Sequence, residues 1–168
     1  FKNYLPNGTV LDIGSGNGRD AKFLLKLGYD YRGIDVSEEL LSVARAKVPN
    51  AVFLNKSLYN LDFKSKFDGF WAADVLLHIP KSRINYVLRE IGNCMKRGAI
   101  GFISLKEGKG EKMEEETRDE HRYHRFFAYY SQQEFKAVLE NNGYEILSML
   151  SHTEIIKIPR ICFFIKKK

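Results

Sequence analysis

Three glycines stand in five positions, Gly14, Gly16 and Gly18 of the stretch VLDIGSGNGRD, directly after an apolar run and before a helical one. A turn between a buried strand and a helix N-terminus presents unpaired backbone N–H groups, and glycine has no Cβ to keep a ligand away from them. Such a turn can hold a small polar ligand, although glycines also serve plain tight turns. Asp12, two residues earlier, is a carboxylate inside an apolar strand, where burial is costly unless a hydrogen-bond partner is supplied. A loop amide would suffice as that partner. Asp35 falls where the next strand ends, and a carboxylate there can accept hydrogen bonds from the two hydroxyls of a ribose. Its structural alternative is to cap the helix that follows, a task Ser37 can also perform.

The spacing separates two kinds of ligand. A dinucleotide fingerprint reads GxGxxG, with the pyrophosphate on the helix N-terminus. Here the pattern is GxGxG, and the charge of Asp12 would lie poorly beside a pyrophosphate, which ranks a nicotinamide dehydrogenase last. A cationic or zwitterionic ligand with an adenosine end fits better, and S-adenosylmethionine has a sulfonium, an ammonium and a ribose diol.

The elements that must position these groups alternate. Thr9–Ile13 reads as a buried strand, and Arg19 to Leu27 as a helix on which Ala21, Leu24, Leu25 and Leu27 recur at helical spacing. Strands follow at Tyr29 to Asp35, Ala51 to Leu54, Phe67 to Ala73 and Ala99 to Leu105. Ser37 is a good N-cap for a helix from Glu38 to Val48, and Pro80 opens a helix that runs through Met95 and ends at Arg97-Gly98. Lys106 to Arg125 is dense in charge without an apolar period. Ser131 and Glu134 form a capping box for a helix from Gln132 to Asn141. Tyr144 to Leu150 and Arg160 to Lys166 have no helix between them and read as an antiparallel edge pair. Strands alternating with helices up to Leu105 imply right-handed βαβ units in a parallel sheet.

At 168 residues the chain, 1–168, is expected to form a single domain. With 44% hydrophobic and 29% charged residues it resembles no disordered or fibrous class. No apolar stretch approaches the ~18 residues of a membrane span. Cys94 and Cys162 are far apart, with no CxxC or histidine at ligand spacing, so no metal site is expected and a reducing cytoplasm is the simpler location. A net charge of +6 makes RNA a conceivable partner, but the densest basic cluster is only the Lys166–Lys168 tail and no RNA-binding module is recognisable. The start at Phe1 carries neither an initiator Met nor a targeting pattern and reads as a trimmed end. Oligomeric state is not legible.

Together these stretches resemble a class I S-adenosylmethionine-dependent methyltransferase. VLDIGSGNGRD is similar to that family's first motif, YRGIDVSEELLSVARAK to its second and FDGFWAADVLLHIP to its fourth. VLREIGNCMKRGAIGFISLKEG and RFFAYYSQQEFKAVLENNGYEIL are similar to the helices and strands that follow. The resemblance implies an α/β fold, a Rossmann-like seven-stranded mostly parallel sheet with helices on both faces and an antiparallel C-terminal edge pair. It implies that Gly14, Gly16 and Gly18 approach the methionine part of the cofactor, with Asp12, Ser15, Asn17 and Ala73 completing the cofactor set. Asp35 would hold the ribose and Val36 flank the adenine. Where many members carry an acidic residue for the adenine amino group, this chain has Ser57, leaving that contact to Leu58 and backbone groups. A second departure is MKRGAIGF, where the family often reads proline-glycine-glycine. The family's N-terminal helices, which cover the cofactor, would lie before the first strand.

The resemblance also implies methyl transfer, an in-line displacement in which alignment and exclusion of water supply much of the acceleration. A base is needed only if the acceptor must lose a proton early. His78, just beyond the fourth strand, is the candidate, its structural alternative being packing beside Ile79-Pro80. Asp74, in the same loop, can touch cofactor or substrate, or cap the turn. The charged stretch 106–125 is a candidate lid offering His121, Arg122, His124 or Arg125 to the acceptor. A small-molecule acceptor is the leading expectation. An RNA acceptor and a non-catalytic regulatory or partner-binding module are the alternatives.

Overall fold

The computed structural model describes residues 1–118, 121–152 and 159–168. Its main sheet has seven strands: β1 (Thr9–Ile13), β2 (Asp30–Asp35), β3 (Val52–Asn55), β4 (Phe67–Ala73), β5 (Met95–Lys106), β8 (Tyr144–His152) and β9 (Arg160–Lys167). They lie in the order β3-β2-β1-β4-β5-β9-β8. The first five are mutually parallel, β9 runs antiparallel to β5, and β8 antiparallel to β9. The expected mostly parallel sheet with an antiparallel C-terminal pair is therefore present. Strand order reverses between β1 and β4, and at such a switch point ligands bind beyond the carboxyl ends of the strands.

Helices cover both faces because successive side chains of a strand point to opposite sides. Val10 packs with Ala21 and Leu24 of α1 (Ala21–Lys26) and with Leu41 and Ala44 of α2 (Glu38–Lys47). Its neighbours Leu11 and Ile13 pack on the opposite face. There they join Ile84, Val87, Leu88 and Ile91 of α3 (Lys81–Asn93) and Phe135 and Leu139 of α4 (Gln132–Asn141). Both serine caps form, Ser37 Oγ accepting from Leu40 N and Ser131 Oγ from Glu134 N, but the expected capping box is only half made, because the Glu134 carboxylate turns to Lys81 instead of to Ser131 N. The Glu134 carboxylate pairs with Lys81 Nζ at 2.7 Å and so ties α4 to the start of α3.

Two stretches differ from expectation. The α3 helix ends at Asn93 rather than at Arg97-Gly98, because buried Met95 already pairs with Phe67 of β4 and Gly98, at φ 79°, lies inside β5. The charged stretch after β5 is not an irregular loop. It forms a separate two-stranded ribbon, β6 (Glu111–Arg118) with β7 (His121–Ala128). Glu114 lies opposite Arg125 and Glu115 opposite His124 in its register, and Arg122 reaches Glu115 at 3.6 Å, so both strands are charged along their length and leave no apolar alternation to read. The ribbon ends in core: Phe127, Ala128, Tyr129 and Tyr130 are all buried.

Candidate active site

Two cavities open at the carboxyl ends of β1, β2 and β4, sharing Gly14, Leu40, His78 and Arg125. One, of about 420 Å³, is walled by Asp35, Val36, Ser57, Leu58 and Tyr59. The other, of about 380 Å³, is lined by Asp12, Ser15, Gly16, Asn17 and Ala73 on one side. Asp74, Lys106, Phe127 and Arg160 line its other side. The structure thus gathers almost every residue singled out in the sequence.

The turn between them is held by Asp35. One carboxylate oxygen accepts from Gly16 N and the other from Ser37 N, each at 2.9 Å, so the second strand's carboxylate fixes both the glycine turn and the start of α2. Each oxygen keeps a further lone pair, enough for two hydroxyl donors. The capping alternative for Asp35 and the ligand role are therefore compatible. The three glycines differ. A Cβ on Gly14 would lie 2.4 Å from Val75 Cγ2, so Gly14 lets β1 and the loop after β4 meet. Gly16 has φ +51° and nothing nearer its absent Cβ than Gly14 O at 4.0 Å, which leaves a cradle open to the cavity. Gly18 is outside both linings and sits against Ala44 Cβ and the Phe53 ring, a packing position.

Asp12 is 2% exposed, and its partner is a tyrosine rather than a loop amide: Tyr31 Oη donates to Asp12 Oδ2 at 2.7 Å. Tyr31 comes from the neighbouring strand, and Gly33 makes room for it, since a Cβ at Gly33 would stand 2.6 Å from that hydroxyl. Burial pushes the Asp12 carboxyl up to about 7, against the opposing pull of the Tyr31 hydrogen bond. Burial and the adjacent Asp12 likewise raise Tyr31 far above the ordinary phenol range. Beside Asp12, Ser15 Oγ is buried close to the Tyr31 hydroxyl but makes no hydrogen bond of good geometry among the described residues. A ligand in the cavity would supply one.

At the boundary of the two cavities, His78 Nδ1 meets the Phe126 carbonyl at 2.8 Å, and Nε2 meets the Arg125 guanidinium at 2.6 Å. Because the carbonyl can only accept, Nδ1 carries the proton and Nε2 accepts from Arg125. His78 therefore fastens the short turn Leu76–His78 to β7, and its basic lone pair is engaged in this arrangement. Asp74 has φ 57°, a left-handed conformation unusual for a residue other than glycine, and the surrounding bonds hold it there. Its N–H and Oδ1 both meet Ser104 Oγ, and Oδ2 is paired with Arg160. Val36 is 69% exposed on the rim, and Ser57 Oγ accepts from Tyr59 N within its own turn. Of the ribbon residues singled out in the sequence, Arg122 and His124 are exposed and Arg125 lines both cavities; the side chain of His121 lies outside the described residues.

Tyr31, Ser104, Lys106, Phe127 and Arg160 were not legible as site residues. Tyr31 could have been found from its place two residues before Gly33 on the strand beside Asp12. The others meet only once β5, β9 and the ribbon are assembled.

The fold is that of S-adenosylmethionine-dependent methyltransferases. A solved methyltransferase of Methanosarcina mazei superposes with a TM-score of 0.86 at 18% identity, covering 98% of this chain and 95% of that one. The Burkholderia thailandensis 1,6-didemethyltoxoflavin-N1-methyltransferase, solved with 1,6-didemethyltoxoflavin and S-adenosylhomocysteine, gives 0.81 at 19% identity, covering 99% and 74%. The methyltransferase-domain family profile matches residues 10–98, more than half of the chain, and the chain belongs to that family. An uncharacterized protein of Methanocaldococcus jannaschii is 26% identical over 81% of this chain and 40% of its own length. A ubiquinone biosynthesis O-methyltransferase of Xanthomonas campestris is 26% identical over 60% of this chain. The chain matches 44% of that relative, so it spans less than half the length of either. No helix among the described residues is long and apolar enough to cross a membrane.

Proposed function

We propose that the chain transfers a methyl group from S-adenosylmethionine to a small-molecule acceptor. The observation that carries this reading is the pair of cavities meeting at Gly14, with the Asp35 carboxylate in one and the Asp12, Ser15 and Gly16 cradle in the other. These residues fit the cofactor. Asp35 would hold the ribose, Val36 and Leu58 the adenine faces, and Asp12, Ser15 and Asn17 the amino-acid end. When bound, the cofactor supplies an electrophilic methyl group on a sulfonium. The chain's own residues orient and enclose. Ala73 and Asp74 close the cavity at the end of β4, and β7 brings Arg125 and Phe127 over the mouth, so the ribbon serves as its wall and lid. The Xanthomonas relative, named for O-methylation in ubiquinone biosynthesis, and the toxoflavin-precursor enzyme favour a small acceptor over RNA. The whole of residues 1–168 then acts as one catalytic domain. Calorimetric titration with S-adenosylmethionine and S-adenosylhomocysteine, beside Asp35→Ala and an NAD control, tests the reading. Saturable binding weakened by Asp35→Ala, with NAD inert, is expected; no binding of either compound by the full chain overturns it.

A further inference from the structure

The far wall of the 380 Å³ cavity carries an arrangement that folding alone does not favour. Lys106, the last residue of β5, and Arg160, the first of β9, are direct partners in the antiparallel ladder. Like charges placed opposite one another in a sheet are destabilising. Lys106 is also only 7% exposed, and its ammonium lies over the Phe127 ring at 3.5 Å from the centroid, a cation–π contact that offsets part of its burial. Burying an ammonium there carries a desolvation cost as well.

Each of these cations has a carboxylate partner, but neither carboxylate is exclusive to it. Glu114 is shared between Lys106 Nζ at 3.1 Å and Lys112 Nζ at 2.8 Å, and it also accepts from Tyr129 Oη at 2.6 Å. Asp74 is committed to Arg160 and Ser104. Arg125 lines the same cavity wall, its guanidinium against His78 Nε2. Arg160 Nε, moreover, is buried without a hydrogen-bond partner among the described residues. Two cations set opposite each other, one carboxylate shared between two lysines and a buried guanidinium N–H with no partner among the described residues together point to a group that this wall is arranged to receive.

We propose that the methyl acceptor carries an anionic oxygen group, a carboxylate or a phosphate monoester, that docks between Lys106, Arg160 and Arg125, with its apolar body against Phe127. The inference rests on the methyltransferase reading for the word acceptor, but the anion site itself does not. Arg19 lies on the glycine-turn side of the cavity and is paired in a forked contact with Asp20, so it is not part of this wall. Guanidinium and ammonium groups differ in what they offer: the fork gives a planar oxyanion its orientation, the ammonium a point charge. The docked anion would enter beside the Asp12, Ser15 and Gly16 cradle rather than through the cavity walled by Asp35.

The test is calorimetric titration of the full chain, with and without saturating S-adenosylhomocysteine, using benzoate, phenyl phosphate and the neutral benzamide. At least one of the two anions is expected to bind at least tenfold more tightly than benzamide, and which one does identifies the oxyanion. Lys106→Met and Arg160→Gln should each weaken that anion at least tenfold, and Lys106→Met should leave S-adenosylhomocysteine affinity within about twofold, which also shows that this variant folds. Equal binding of benzamide, anion binding indifferent to both substitutions, or no binding of either anion by a chain that binds S-adenosylhomocysteine would overturn the proposal. Substitution-sensitive anion binding by a chain that does not bind S-adenosylhomocysteine would leave the anion site standing and overturn the methyltransferase reading instead.

Discussion

Replacing Asp12 with Asn should make the protein more stable, and only above a particular pH. In the folded chain the Asp12 carboxyl is pushed up to about 7, whereas in the unfolded chain it returns to 3.8. Between those values the folded state holds a proton that the unfolded state releases, so stability falls as pH rises, by about 1.4 kcal/mol per unit. Over roughly three units the wild-type chain loses about 4 kcal/mol, and the loss levels off above pH 8. Asparagine is nearly isosteric, keeps an oxygen to accept from Tyr31 Oη, and has no proton to lose. Urea unfolding of both proteins at half-unit steps from pH 4 to pH 9 should therefore give curves that coincide near pH 4. They should separate by up to about 4 kcal/mol at pH 8, the variant being the more stable. A separation that stays constant with pH, or a variant that is less stable at pH 8, would refute the claim that the fold buries an ionisable carboxyl at the cofactor cradle at its own expense.

Other consequences are equally direct. Affinity for S-adenosylhomocysteine, measured by calorimetry, should rise from pH 6 to pH 8 as Asp12 ionises to meet the ligand's ammonium, and Asp12→Asn should bind weakly with little pH dependence. Asp35→Ala removes the acceptor of two backbone N–H groups and should cost the apo protein about 1–3 kcal/mol in urea unfolding as well as weakening cofactor binding at least tenfold. Gly14→Ala should destabilise more than Gly16→Ala. The first Cβ would overlap Val75 whereas the second meets only the ~1–2 kcal/mol strain of a left-handed residue and should instead obstruct the ligand, a split readable by thermal melts beside titration. The Glu114 carboxyl is held down at about 2 by Lys112, Tyr129 and Lys106. Its contribution is present above 4.5 and is lost as pH falls through about 2, so Glu114→Gln should be less stable than wild type at pH 6 and indistinguishable from it near pH 2.

The half of the fold that carries the proposed cofactor groups was legible as structure because its signals are local. The buried run Thr9–Ile13, the glycines, the Ser37 cap and the placing of Asp35 at a strand end all lie within short stretches, and each agrees with the others about where a ligand could lie. The acceptor half was not legible, because it is assembled from distant pieces. Lys106 and Arg160 are neighbours only through the β5–β9 register, and Arg125 reaches His78 only because the ribbon folds back over the turn after β4. The ribbon carries charged residues along both strands and so shows no apolar period of its own, which is why 106–125 read only as a charge-dense candidate lid and not as a strand pair.

That division follows from how the fold distributes its tasks. Binding a common cofactor needs one switch point, where β1 and β4 part and a glycine turn exposes its N–H groups, and a short sequence can encode it. Choosing an acceptor needs groups on the opposite wall, which the sheet supplies by inserting β9 beside β5 and so bringing its first residue, Arg160, to the end of β5. Asp74 joins the two halves. Its left-handed backbone at the end of β4 is secured by Ser104 from β5 and by Arg160 from β9, so the loop that closes the cradle and the wall that faces the acceptor are fixed by one carboxylate. Asp74→Ala should therefore disturb both sides together, weakening S-adenosylhomocysteine and releasing Arg160, whereas Lys106→Met should disturb the acceptor wall alone. If calorimetry finds the two variants alike in their effect on cofactor affinity, the two halves are not coupled through Asp74.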